Sequence, residues 1–346
     1  MTLTAPTRSD AEGSRPEPPT IEDIEPFRSE LTGYCYRMLG SVFEAEDAVQ
    51  DTMVRAWKSA DGFQGRSSLR SWLYRIATNV CLDALNGRNR RARPMDLQGP
   101  GRPVIESLGA PLTESTFIEP IPDRMIFGAA APDPAEVAAV RDSVRLAFLA
   151  ALQHLPPRQR AVLILRDVLR WSAAEVAELL DTTVASANSA LQRARATLST
   201  LPEQDDGPPA GVGDLEDEHR ALLERYVDAF ERYDMAQLVA LLHEDATQNM
   251  PPFSLWLQGR DDLIAWYVGP GAECEGSVLR AVQVNGLPGF AQYRRDPQGG
   301  WFAWAIQVLE LRDGRIAHIT SFLDTKLFAL FGLPERLSAA DLGETQ

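Results

Sequence analysis

The 346-residue chain carries 34 basic and 49 acidic residues, for a formal charge of −15, and 45% of its residues are hydrophobic. That length predicts two or three domains, and no window resembles a secretory leader or a membrane span, so a cytoplasmic chain with no membrane partner is expected. Cys35, Cys81 and Cys274 lie far apart, without metal-ligand spacing, so neither a disulfide framework, a metal site nor a cofactor is expected.

The acidity is uneven. Residues 200–346 hold 24 acids and 11 bases, which leaves about −2 on the first 199 residues. A locally basic surface is thereby hidden in the total, and local charge is what phosphate contacts depend on.

Residues 1–19 are polar and proline-bearing and read as a disordered arm. From Ile21 to Leu39 helical segments carry Phe27, Leu31, Tyr34, Met38 and Leu39. The next run, Glu44 to Lys58, places Ala45, Ala48, Val49, Thr52, Met53, Ala56 and Trp57 on one apolar stripe. Its other face holds Glu46, Asp47, Gln50, Asp51, Arg55 and Lys58, with Asp51 and Arg55 paired at i,i+4. After Ser67 and Ser68, which can cap a helix, the apolar period resumes with Leu69, Trp72, Leu73, Ile76, Val80 and Ala84. Arg66, Arg70, Arg75, Arg88, Arg90, Arg91 and Arg93 face a single acid, Asp83. An acidic helix followed by a basic, aromatic one offers one surface to a protein and one to nucleic acid.

The run AEDAVQDTMVRAW…SLRSWLYRIATNVCLDAL resembles the second conserved region of sigma-70-type initiation factors, in their small extracytoplasmic-function branch. The resemblance implies that Glu46, Asp47, Gln50, Asp51 and Arg55 dock on the β′ clamp helices of core RNA polymerase. It also implies that the basic helix and the loop before it hold the −10 promoter element as single strand. An opened base needs an aromatic or apolar pocket and its phosphates need cations. Phe63, Trp72 and Tyr74 can supply the first, and Arg70, Arg75, Arg88, Arg90 and Arg91 the second. Asn79 and Asp83, one turn apart, carry groups that can read a base edge. Trp72 also lies on the apolar face, where packing alone would account for it.

Residues 94–135 contain eight prolines, which exclude a long helix, and more acids than bases. A flexible tether is one reading. The resemblance implies another, a connector that threads the polymerase cleft, with Ser115 to Phe127 apolar enough to dock elsewhere. From 136 to 201 the pattern is a helix-turn-helix: Pro157 at a first helical position, a Ser172–Glu175 capping box, a turn at Asp181–Thr183, and a last helix turning Val184, Ala187, Leu191, Ala194 and Leu198 inward. Its outer face presents Ala185, Ser186, Ser189, Gln192 and Arg193, small and polar residues suited to a major groove. This block resembles the fourth conserved region of the same family, which reads the −35 element; Thr183 and Arg195 join that face, and the polymerase β flap is the implied partner. Asn188 and Ala190 stand where many members carry basic residues, so weaker phosphate contact is expected.

Residues 202–214 are a linker by composition. From 215 to 331, helices at Asp217–Tyr233, Met235–Leu242 and 260–268 precede strand-like alternations at 278–285, 289–294, 301–312 and 315–323, with Asp313-Gly314 as a hairpin turn. Helices followed by antiparallel strands indicate an α+β fold. The order resembles the SnoaL-like, ketosteroid-isomerase-like cone, and residues 332–346 read as a tail. His243, Asn249, Trp256, Trp266, Tyr267, Trp304, Gln307, His318 and Asp324 are candidates to line a pocket, for a small ligand if it takes one. His318 and Asp324 are the best available bases, but nothing in the sequence brings them together.

The expected architecture is therefore multidomain: two all-α sigma domains at 20–93 and 136–201, the second a helix-turn-helix, then the α+β cone. The expected function is a sigma factor that brings core RNA polymerase to promoter DNA, without covalent chemistry, under the control of the cone. Two alternatives share the residues: a ligand-sensing helix-turn-helix regulator acting without polymerase, and a SnoaL-like enzyme with a DNA-binding appendage.

Overall fold

Helices in the first unit begin where the sequence supplies an oxygen for otherwise unpaired first-turn N–H groups. The computed structural model describes residues 18–127, 141–201 and 214–343. In it, Thr20 opens α1 (Ile21–Ile24), Ser41 opens α3 (Val42–Ser59) and Ser68 opens α4 (Leu69–Leu85), each through its side-chain oxygen. Between them α2 (Arg28–Leu39) stops at Gly40, whose φ of 73° suits a residue without Cβ. Leu31, Tyr34, Leu39, Val49, Leu73 and Ala77 form the centre of this unit. Apart from residues 18 and 19, the arm expected at 1–19 lies outside the described residues.

Trp57 departs from the expected stripe and is 60% exposed. At 3.6 residues per turn, a position twelve beyond Ala45 has drifted about a third of a turn from it. Cys35 and Cys81, far apart in sequence, meet inside this unit, and both are buried.

The connector is folded over its described part. Short 3-10 turns occur at Pro94–Asp96, Ile105–Ser107, Glu114–Thr116 and Asp123–Met125. Ala92 bridges to Phe117, and Phe117, Ile118 and Ile121 are buried. A free tether would leave those apolar side chains in water. The rest of the expected linker, 128–135, lies outside the described residues.

The second helical unit contains α5 (Leu146–Gln153), α6 (Pro157–Leu163, continued by a π turn over Ile164–Val168), α7 (Ala173–Leu179) and α8 (Val184–Ser199). Ser172 and Glu175 cap α7 reciprocally, and Thr183 caps α8. Val184, expected inward, is 45% exposed. It is the first residue of α8, ahead of the inward-facing Ala187, Leu191 and Ala194.

Residues 202–213 of the expected second linker lie outside the described residues. The C-terminal unit begins with α9 (Asp214–Glu231) and α10 (Met235–Leu241). There follow β1 (Leu242–Asn249), β2 (Trp256–Gln258), α11 (Arg260–Val268), β3 (Val278–Val284), β4 (Leu287–Arg295), β5 (Trp301–Arg312), β6 (Arg315–Phe322), α12 (Lys326–Leu330) and β7 (Arg336–Leu337). The sheet order is β2-β1-β6-β5-β4-β3, with β7 on β5; β1 runs parallel to β6 and the other pairs are antiparallel. β1 reads LHEDATQN, too polar to announce itself by alternation. Part of the expected tail is thus a strand.

The two faces of this sheet have different partners. Phe290, Leu309 and Ile319 join Tyr226 and Phe230 of α9 and Leu263 of α11 in one core. Ala291, Ile306, Val308 and Phe322 belong instead to the core that contains Ile118 and Ile121 of the connector and Val144 and Leu146 at the start of the second helical unit. One hydrophobic interior therefore runs from α2 to the strands.

At the edge of this junction, Asn285 and Gly286 turn β3 into β4 with φ of 55° and 72°. A Cβ on Gly286 would lie 3.0 Å from the Arg141 Cα and 3.1 Å from its carbonyl oxygen. Gly286→Val is expected to loosen the docked sheet by about 1–3 kcal/mol, read as a lower thermal midpoint or as earlier proteolysis of the connector.

Candidate polymerase and nucleic-acid interface

The acidic face of α3 is open. Glu46, Asp47 and Gln50 are exposed and border a groove with Arg28, Ser29 and Thr32 of α2. Asp51 and Arg55 pair at 3.5 Å, and Arg55 also reaches Asp83 at 3.6 Å. Such exposed pairs contribute little to stability and leave the face free to exchange partners.

The basic helix is placed differently. Phe63 packs on Trp72, ring centres 5.2 Å apart, so the expected aromatic pair exists. Asn79 and Asp83 are exposed on an open groove with Asn86, Gly87 and Arg158. Arg70 donates to Glu30 at 2.6 Å and lies over the Trp171 ring at 5.0 Å. Arg75 donates to the carbonyl of Glu178 in α7 at 2.8 Å. Arg88 pairs with Glu44 at 2.6 Å, and Arg90 bonds the His154 ring. The cations expected to hold the −10 strand thus already have partners inside the chain, several of them on the helix-turn-helix unit.

Arg91 requires a correction. It is 7% exposed and ties the connector to the first unit. It donates to the carbonyls of Glu114 at 2.8 Å and Phe117 at 2.7 Å, and to Glu44 at 2.9 Å, with Glu119 at 3.5 Å. Burial raises the Glu119 carboxyl pKa, against the pull of Arg91. A run of arginines in sequence does not reveal which of them will find carbonyls in the fold.

On α8, Ala185, Ser186, Ser189, Gln192 and Arg193 are exposed, and Thr183 caps the helix by accepting from the Ser186 N–H at 3.1 Å. Arg195 is paired with Asp167 at 2.6 Å, which fixes it against the helix-turn-helix scaffold. The α8 face expected to read the major groove is uncovered, while α4 lies against α7.

Two further arginines, unmarked in the sequence, bind the helical units to each other. Arg37 of α2 donates to Ser143 Oγ at 2.8 Å, and Arg160 of α6 donates to the Met38 carbonyl and to Gln153. Burial lowers both guanidinium pKa values to about 10. Tyr74 and Trp171 pack across the same seam with ring centres 4.9 Å apart.

The β3–β4 tip then joins three parts of the chain. Asn285 is fully buried; its Oδ1 accepts from the Ile121 N–H at 3.0 Å, and its Nδ2 donates to Tyr36 Oη and the Val144 carbonyl, both at 2.7 Å. The Gly286 N–H donates to Asp123 at 2.8 Å. One asparagine therefore touches the first helical unit, the connector and the segment leading into the second. An Asn-Gly pair signals a tight turn in sequence, but its partners are visible only in the fold.

The pocket candidates do not converge. Tyr267 donates to Gln248 at 2.6 Å within the α9–α11 core, where Tyr226, Gln307, Gln292 and Ser277 form a second chain of hydrogen bonds. Trp266 is buried in that core, and Trp304 stacks under Arg294 at 4.2 Å. His318 and Asn249 do meet, at 3.0 Å, but on the sheet face that looks toward the connector. Trp256 donates to the Gln98 carbonyl of the connector at 2.7 Å, Asp324 accepts from the Lys326 N–H at 3.0 Å, and His243 sits beside Asp245 and Arg312. His318 and Asp324 thus do not form a base pair for chemistry, and no His, Cys, Asp or Glu cluster among the described residues could hold a metal.

These placements separate structural from available arginines. Arg91→Ala is expected to cost about 3–5 kcal/mol, because Glu44 and Glu119 lose a buried partner. Arg193→Ala should stay within about 0.5 kcal/mol. Denaturant unfolding of the two variants checks the contrast.

Comparison with known proteins follows the same division. The model of Sigma-70 region 2 matches residues 24–91, that of Sigma-70 region 4 matches 145–198, and that of the SnoaL-like domain matches 223–319. The ECF RNA polymerase sigma factor SigG of Mycobacterium tuberculosis is 45% identical over 318 residues, covering 90% of this chain and 83% of that protein. SigJ of the same organism, also an ECF sigma factor, is 26% identical over 333 residues, 91% of this chain and 95% of SigJ. The crystal structure of SigJ superposes with a TM-score of 0.59 at 24% identity, over 91% of this chain and all of that one, and so shares its fold. No helix among the described residues is long and apolar enough to cross a membrane. The chain belongs to the extracytoplasmic-function sigma factors of RNA polymerase, with a SnoaL-like domain fused behind region 4.

Proposed function

We propose that this chain carries core RNA polymerase to its promoters and that the SnoaL-like domain holds the free factor closed until it is engaged. The open face of α3, with Glu46, Asp47, Gln50, Asp51 and Arg55, would meet the β′ clamp helices, and the helix-turn-helix unit the β flap. Phe63, Trp72, Arg75, Asn79 and Asp83 would take the −10 strand, with Arg88 and Arg90 on its phosphates. Ala185, Ser186, Ser189, Gln192 and Arg193 would read the −35 major groove. Arg70 and Arg195 would first have to leave Glu30 and Asp167.

Distance argues that the free state must open. The two promoter elements are about 25 base pairs apart, or about 85 Å along a duplex at roughly 3.4 Å per pair. Here α4 bonds directly to Glu178 of α7, so the two readers lie side by side and cannot span that length. The SnoaL-like domain holds this arrangement by gripping the connector. Trp256 takes the Gln98 carbonyl, Gly101 donates to the Trp256 carbonyl, Leu112 donates to that of Pro252, and Glu114 pairs with Lys326 at 2.7 Å. A tethered domain needs only weak contacts to stay engaged, because its effective concentration is high. The cone then acts as a clamp: its interior polar groups are spent on one another, and its one buried histidine faces the connector. A non-enzymatic, cytoplasmic factor with no required cofactor follows from this reading.

The observation that carries it is the three-way grip of Asn285. Asn285→Ala removes three buried hydrogen bonds, worth about 2–4 kcal/mol of docking in total. The full-length variant, without polymerase, should bind a fork-junction promoter DNA at least tenfold more tightly by fluorescence anisotropy and lose its connector faster to protease. Unchanged affinity and unchanged proteolysis would refute the clamp.

A further inference from the structure

The seam between the sheet and the connector contains a buried imidazole that neither promoter reading nor the clamp accounts for. His318 of β6 is 9% exposed. Its Nδ1 meets the Thr247 hydroxyl of β1, and its Nε2 lies 3.0 Å from Asn249 Nδ2 and 3.1 Å from Thr320 Oγ1. Both ring nitrogens thus have uncharged hydrogen-bonding neighbours, which a neutral ring satisfies with one donor and one acceptor. Across the seam stand Ala92, Arg93, Ile118 and Leu146, around a cavity of about 10 Å³ that also touches Asn249, Thr320 and Phe322.

The charged groups around the ring come from three elements. Arg93, at the end of the first helical unit, opposes a positive ring; it is itself paired with Asp96 at 3.2 Å. Glu310 of β5 is the direct cross-strand neighbour of His318 and lies in the field of Arg93 and of Arg145, at the start of α5. In the docked state the carboxylate therefore faces arginines. If the sheet withdraws, Arg93 and Arg145 leave with the helical units, and Glu310 remains opposite His318. The ring is disfavoured as a cation when docked, and withdrawal relieves both its burial and the opposing charge of Arg93. Asn249 Oδ1, buried without a partner, is placed to accept a second ring N–H once the amide turns.

We infer that His318 is a proton-operated release for the SnoaL-like domain, so that mild acidification opens the factor by charging a ring that the docked seam accepts only when neutral. This rests on the clamp described above and adds the class of signal that works it.

Burial, then the charge of Arg93, holds the docked imidazole down to about 3 from an ordinary 6.5. A pKa lowered by docking means that the open state binds more protons, so docking is strongest above about 6.5 and weakens as pH falls. Glu310 works the other way, because burial raises its carboxyl when docked, so proton uptake there favours docking and opposes the histidine as pH falls. Between pH 7.5 and 5.5 the histidine alone should shift the equilibrium about tenfold toward opening.

The test uses the full chain with Cys274→Ser and dyes at Ser59→Cys and Asp313→Cys, read by single-molecule energy transfer. The low-transfer fraction should rise about tenfold from pH 7.5 to 5.5. His318→Gln, which keeps hydrogen bonds but cannot titrate, should abolish that rise, and His318→Lys should open the chain at both pH values. A wild-type chain indifferent to pH, or a His318→Gln chain that opens equally on acidification, overturns the proposal. Asn285→Ala in the same assay separates the two ideas. If it opens at pH 7.5 while wild type ignores acid, only the proton release is lost. If it stays closed, the clamp itself is wrong.

Discussion

The structure depends on the burial of one sheet face against helices to which it is joined only through the chain. Ala291, Ile306, Val308 and Phe322 share an interior with Ile118, Val144 and Leu146, and apolar burial of that kind supplies affinity without direction. Direction comes from the polar tip. Asn285 is fully buried with its amide oxygen and nitrogen both bonded, to groups in three different parts of the chain. A buried amide left unpaired is costly, so only one placement of the sheet against the helices satisfies it. The hydrophobic face holds the domain; the asparagine sets where it sits.

That arrangement explains how a fold with an enzyme-like cone can serve transcription. The face lined by α9–α11 is filled with side chains that bond to one another, as Tyr226, Gln307, Gln292 and Ser277 do. The opposite face carries His318, Glu310 and Asn249 toward the connector.

The same logic applies to the arginines. Arg91 and Arg160 look in sequence like their exposed neighbours Arg90 and Arg158, yet each is buried among carbonyl oxygens. Guanidinium groups suit this role because their several donors can satisfy several acceptors at once. Basic residues in this chain therefore divide between those buried among carbonyl oxygens and those left exposed. Arg70 and Arg75 stand between the two, half-exposed yet bonded to Glu30 and to the Glu178 carbonyl.

Much was legible in the residues alone. The apolar periods of α3 and α4, the Ser172–Glu175 box, the Asp181–Thr183 turn and the Asp313-Gly314 hairpin are local signals, and local hydrogen bonding and periodicity dictate them. They were enough to give the order of units and the family. The sequence could not place what depends on distant partners: the burial of Arg91, the exposure of Trp57, the strand formed by the polar run LHEDATQN, or the separation of His318 from Asp324. Nor could it show that an Asn-Gly turn near residue 285 would reach Tyr36, some 250 positions earlier. Periodicity encodes which side of an element is apolar, because that depends on neighbours three or four residues away. Which surfaces then meet depends on shape and on unpaired polar groups across the whole chain, and only the tertiary structure decides that.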